Sequence, residues 1–210
     1  MPGTRRTEQT RRTRERIAAI AMELFAQRGF EHVTVAEIAT SAGVTEKTVF
    51  NHFATKEDLV YSRDRSFEEE LVGAIRHRDP GVSVYSAATT FLMSVYTGSP
   101  ADELRQARHR VLTGLLATSP ALQARERLIL ARYTAALRDE IATELAIGDE
   151  DLRPHVVAEA IVSVHAAIIA GFRRYATVGG AADHDLNGPL IAAEQVIQLL
   201  AGGLGGYGPK

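Results

Sequence analysis

The sequence predicts an all-α protein: an N-terminal three-helix helix-turn-helix unit, joined by a long helix to a larger C-terminal helical bundle. Three observations predict it. Apolar residues recur at three- and four-residue spacing along most of the chain, and no alternating strand pattern competes with them. Ser, Thr, Pro and Gly fall where helices of ordinary length must start and stop. Residues 34–53, TVAEIATSAGVTEKTVFNHF, read as two short helices around a tight turn.

The first helix is expected from about Thr13 to Gln27. Ile17, Ile20, Ala21, Leu24 and Phe25 form its apolar stripe, and Gly29 ends it. Thr34 and Glu37 have capping-box spacing for the second helix, in which Ile38 is apolar with Ala39 and Ala42 beside it. Gly43 stands where that helix must stop, because only glycine enters the left-handed region without a Cβ penalty. Thr45 is the next N-cap. Val49 and Phe53, four residues apart, share one face of the third helix, and Glu46, Lys47, Thr48, Asn51 and His52 occupy the other. A helix this short must be pinned by its apolar side, which leaves the polar side free to read something, and DNA-binding helix-turn-helix units have this anatomy. Thr55 and Asp58 cap a long fourth helix through Leu59, Phe67, Leu71 and Ile75, ending before Asp79-Pro80-Gly81. Lys56 lies in its first turn, where the helix dipole disfavours a cation, so its presence asks for a reason. A domain boundary is placed near residue 57, dividing the chain into 1–56 and 57–210.

Further helices are expected over Val82–Tyr96, from Ser99-Pro100 to about Ala117, from Ser119-Pro120 to about Ala146, over Pro154–Val178, and from Pro189 to Leu200 or Ala201. Gly179 to Gly188 reads as a loop, and Gly202 to Lys210 as a disordered tail. The last two helices, about 154–178 and 189–201, are apolar around most of their circumference. Helices of that kind need cover on more than one side, so they are expected to form a four-helix interface in a homodimer.

The chain has 210 residues, is 45% apolar and 24% charged, and carries a net charge of −2, values ordinary for a soluble domain with ample core. It has no cysteine, which excludes disulfides and thiolate zinc sites. No signal peptide and no membrane-spanning run are expected, so a cytoplasmic protein is the default. Residues 1–56 hold nine Lys/Arg against six Asp/Glu, while the remainder is net acidic. Arg5, Arg6, Arg11, Arg12, Arg14 and Arg16 concentrate the positive charge, in a tail expected to touch DNA backbone or minor groove.

Four stretches carry a family resemblance: ERIAAIAMELFAQRGF at 15–30, TVAEIATSAGV at 34–44, TVFNHF at 48–53 and TKEDLV at 55–60. Together they resemble the tetracycline-repressor (TetR) family of bacterial transcription regulators. The resemblance implies a dimeric, sequence-specific regulator, acting as a repressor released from a near-palindromic operator by a small-molecule effector. By the family motif, Glu46, Lys47 and Phe50 face base edges: Glu46 to cytosine N4, Lys47 to guanine O6 and N7, Phe50 to a thymine methyl. Family members often have Tyr where this chain has Phe50. Thr34, Thr45, Thr48, Asn51, His52 and Lys56 are placed to hold phosphates. The resemblance also implies an effector pocket within 57–210. Its candidate lining is Phe67, Tyr85, Phe91, Met93, Tyr96, His109, Leu112, Tyr133, His165 and Phe172, suited to an apolar ligand. Arg105, Arg108 and Arg110 are candidates for an anionic one.

The alternative is a small helical binding protein or enzyme without DNA recognition. No GxSxG, HExxH or Walker loop is present. The histidines (His32, His52, His77, His109, His155, His165 and His184) form no metal-ligand spacing. No catalytic residue, cofactor or metal site is therefore expected.

Overall fold

The computed structural model describes the backbone of residues 3–97, 103–148, 150–178 and 187–208, and the side chains of 7–97, 111–148, 150–174 and 188–208. Every regular element among them is helical. These are α1 (Gly3–Arg28), α2 (Val35–Ser41), α3 (Glu46–His52), α4 (Glu57–Val60), α5 (Asp64–Arg76), α6 (Val84–Tyr96), α7 (Glu103–Thr118), α8 (Pro120–Glu144), α9 (Arg153–Val178) and α10 (Asn187–Leu204). The start expected at Ser99-Pro100, the loop Gly179 to Gly188 up to residue 186, and the side chains of Arg105, Arg108, His109 and Arg110 lie outside the described residues.

The caps form where the spacing predicts them. Thr34 and Glu37 close a reciprocal capping box on α2, Thr45 accepts from the Thr48 N–H, and Ser119 accepts from the Leu122 N–H with Pro120 in the first turn of α8. Gly43 follows α2 at φ +62°, the left-handed turn that positions α3.

Four expectations are corrected. First, α1 begins ten residues before Thr13, so the arginine-rich stretch is helix rather than tail. Glu8 binds Arg11 and Arg12, and Arg11 also binds Glu15; these pairs, one turn apart, support the extra turns. The two guanidinium groups hold the Glu8 carboxyl down to about 2. Second, the long fourth helix is two helices, broken at 61–63. The Thr55–Asp58 box is present. At the break the Tyr61 hydroxyl donates to the Leu122 carbonyl at 2.9 Å, and Arg14 reaches the Ser62 carbonyl. Backbone bonds still span the break, with the Asp64 N–H donating to the Tyr61 carbonyl, and Arg14 supplies a donor to the Ser62 carbonyl.

Third, the glycine-rich C-terminus is docked. Helix α10 runs to Leu204, and Gly208, at φ +61°, sits buried with its carbonyl accepting from Arg78 at 2.8 Å. Arg78, its side chain 1% exposed, also donates to the Ile75 and Val82 carbonyls and pairs with Glu144. A buried guanidinium needs this many acceptors, and the tail supplies one. Fourth, the segment Arg153–Arg174 is long and apolar enough to cross a bilayer. It is instead the central helix of the bundle, packed by α6, α7, α8 and α10.

Two cores result. One joins α5, α6, α8, α9 and α10 around Leu71, Ile75, Leu92, Leu137, Ile141, Ile161 and Ile168. The other joins α1 to α4 around Ile17, Phe25, Ile38, Val49, Phe53 and Leu59, and it takes in Leu115, Leu116 and Leu122 from α7 and α8.

Replacing Arg78 with Ala takes a donor from Glu144 and from the Val82 and Gly208 carbonyls, while the Ile75 carbonyl keeps its backbone N–H partners. Urea unfolding is expected to show a loss of about 3 kcal/mol, with amide protection falling at residues 204–208 as well as around Val82.

Candidate functional site

Helix α3 rests on the second core through Val49, with Phe53 buried just beyond its end. Its C-terminus is tied down by Arg14 of α1, whose guanidinium donates to the His52 carbonyl and stacks over the Phe53 ring at 4.1 Å. The opposite face is open. Glu46, Lys47 and Asn51 are exposed, and Phe50 is 49% exposed. Thr48 is half-buried, its hydroxyl 2.9 Å from that of Thr45. Thr34 and Thr45 are exposed and engaged as caps.

His52 and Lys56 are less free than the sequence alone indicates. Burial first, and then the charge of Arg14, lower the His52 ring below the ordinary histidine range. The fold thus favours the neutral ring. Lys56 donates to the Phe30 carbonyl at 2.6 Å and stands 4.3 Å over the Phe30 ring. This supplies the reason for a lysine at a helix start: it fastens α4 to the α1–α2 loop. Arg14, which holds the end of α3, is the residue whose structural role the sequence reading missed. Its placement one turn before Ile17 on an otherwise apolar face was the available signal.

Among the effector candidates, six gather at the centre of the bundle. Phe67 of α5 stacks on His165 of α9 at 4.7 Å and on Tyr133 of α8 at 5.4 Å, and it meets Phe91 of α6 at 5.6 Å. Tyr96 contacts His165 and Phe172, and its hydroxyl lies 3.2 Å from His165 Nδ1. The result is an aromatic cage only in outline: the rings, drawn from four helices, pack directly on one another with one polar pair among them. Burial drives the His165 ring down to about 4 and holds the Tyr96 phenol well above its usual range. The other candidates go elsewhere. Tyr85 turns to α10 and donates to the Ile197 carbonyl, Met93 is half-buried at the edge of the bundle core, and Leu112 packs on the α1–α4 core. No group of His, Asp or Glu suited to a metal ion occurs among the described residues.

Residues 17–61 match the family described as bacterial regulatory proteins, tetR family, and residues 82–190 match the MftR C-terminal domain. The chain is 29% identical over 167 residues to the HTH-type transcriptional regulator TcmR of Streptomyces glaucescens, covering 78% of this chain and 74% of that one. It is 27% identical over 152 residues to the putative mycofactocin biosynthesis transcriptional regulator MftR of Mycobacterium tuberculosis, covering 72% and 75%. Among solved structures, NalD of Pseudomonas aeruginosa, the secondary repressor of the MexAB-OprM efflux pump, superposes with a TM-score of 0.57 at 23% identity, covering 92% of this chain and 98% of that one.

The cage makes a pH prediction. The unfolded chain protonates His165 near 6.5, and the native one only near 4. Between those values the unfolded state binds more protons, so stability falls as pH drops through the window, by a total on the order of 3 kcal/mol. Urea midpoints of His165→Asn are expected to fall less than those of the native chain between about pH 7 and pH 4; parallel curves would contradict the assignment.

Proposed function

This chain belongs to the TetR family of bacterial regulatory proteins, and on that premise we propose how it binds DNA and what releases it. It is a DNA-binding transcriptional repressor. Regulators of this family are generally not enzymes. The observation that carries the proposal is α3: seven residues held at both ends, with its outward face of Glu46, Lys47, Phe50 and Asn51 committed to nothing in the fold.

In this reading, residues 1–56 read DNA and 57–210 sense and dimerise. Lys47 donates to guanine, Glu46 accepts from cytosine, and the exposed Phe50 ring meets a thymine methyl. Thr34, Thr45, Thr48, Asn51 and His52 hold phosphates. Lys56 acts mainly by fixing the unit. The extended α1 lays Arg11, Arg12 and Arg16 along backbone as a rigid arm.

Two copies pair through α9 and α10. In support, α9 buries most of its apolar residues within one chain yet leaves Ser163 and Ala167 exposed on a face of small residues, while α10 leaves Ile191 56% and Leu199 79% exposed. The pairing sets the two recognition helices at a fixed separation on a near-palindromic operator. The effector enters the cage of Phe67, Phe91, Tyr96, Tyr133, His165 and Phe172 as an apolar molecule with one polar group for the Tyr96–His165 pair. Displaced rings move α5, and through α4 they change the spacing of the α3 helices.

Capture from fragmented genomic DNA of the source organism is expected to recover a short near-palindrome, bound more weakly as salt rises. Lys47→Ala should cost about 1–3 kcal/mol on that site and relax its sequence preference. Ala167→Arg should leave the helical content unchanged, give a monomer by sedimentation, and lose operator binding. Failure to recover any sequence from DNA, with the dimer intact, would overturn the assignment of α3.

A further inference from the structure

A second, chemically different site lies outside the cage. Between the end of α7, the first turns of α8 and the last half of α9 is a notch of about 440 Å³ lined by Ala117, Gln123, Glu126, Arg127, Arg173 and Arg174. That volume falls within the range of small-molecule sites. Along it runs a half-buried ion pair, in which Arg173 meets both oxygens of the buried Glu126 at 3.1 Å. Its rim carries the exposed Arg127 and Arg174. Three guanidinium groups against one carboxylate give the lining a formal charge of +2.

We propose that this notch binds a small dianion, of the phosphate monoester or dicarboxylate class, and that its occupation alters the grip on DNA. The charge selects the ligand: planar guanidinium forks match carboxylate and phosphate oxygens in pairs. The location supplies the consequence. The Gln123 amide donates to the Leu116 carbonyl at 2.9 Å across the α7–α8 turn. That turn carries Leu115, Leu116 and Leu122 into the α1–α4 core. An anion drawing on Gln123 and Arg127 pulls on the segment that completes the seat of α3. The regulatory half of the proposal rests on the DNA-binding reading above; the binding half does not.

The test is calorimetry on the full chain at constant ionic strength, with phenyl phosphate, phthalate and, as neutral control, phenol. At least one dianion is expected to bind with a millimolar or tighter dissociation constant, and phenol is not; the stronger of the two identifies the class. Arg127→Gln and Arg174→Gln should each weaken it about tenfold, the size of a lost charge-assisted hydrogen bond. Arg153→Gln, which removes an exposed arginine paired to Asp151, should not. No heat from either dianion, or equal losses in all three variants, overturns the site. Operator affinity is then measured with and without the dianion at a concentration near its native dissociation constant, and is expected to drop in the native chain and to drop much less in Arg174→Gln. Binding without that drop overturns the regulatory half. Absence of operator binding by the ligand-free protein would count against the DNA-binding reading instead.

Discussion

The interior that seats α2 and α3 is completed by Leu115 and Leu116 at the end of α7 and Leu122 at the start of α8. Two helices of seven residues have no stability of their own. Alone, α1 to α4 would leave part of their apolar surface to water. The α7–α8 turn covers it, and polar contacts fix the register. Ser119, while capping α8, donates to Glu31 in the α1–α2 loop. Arg125 of α8 pairs with Asp58 of α4 at 2.6 Å. The Tyr61 hydroxyl closes on the Leu122 carbonyl. The DNA-reading unit and the bundle thus share one packed interior, and a shift of the first turns of α8 reaches α3 through close-packed side chains rather than a flexible linker.

Buried and half-buried arginines tie the helices of the bundle together. Arg78 gathers the end of α5, the start of α6, Glu144 and the C-terminal tail around one guanidinium. Arg132 of α8 joins Asp64 and Glu68 of α5 beside the cage. Glu126, raised by burial, is held by Arg173. Each pair costs desolvation and returns register. In the folded chain the Arg132 and Arg173 pairs tie α5 and α9 to α8, the same helices that bring Phe67, Tyr133 and His165 together.

What was legible in the sequence was what is local. Thr34 with Glu37, Thr45 with Thr48, and Ser119-Pro120 act within four residues, so their spacing carries the whole device. The outward face of α3 was legible because Val49 and Phe53 claim the other side. The rest depends on distant partners. Glu8, Arg11, Arg12 and Glu15 did offer one-turn spacing, yet the arginine content of the stretch reads as a tail. The break at Tyr61 is met by Leu122 and Arg14, far away in sequence. The Gly-rich end is ordered by a carbonyl that Arg78 needs, which composition does not reveal. Aromatic type and helical phase picked out the cage residues but also Tyr85 and Leu112, which face other neighbours, because phase names a face and not its partner.

The central claim is that α3 is seated by a core shared between the two parts of the chain. Native-state hydrogen exchange on Leu122→Ala, compared with the unaltered chain, tests it most directly. The account predicts that protection falls in α1 and α4, and at the Val49 and Phe53 amides, as well as at the start of α8. Loss of protection confined to α7 and α8, with α1 to α4 unchanged, would contradict it.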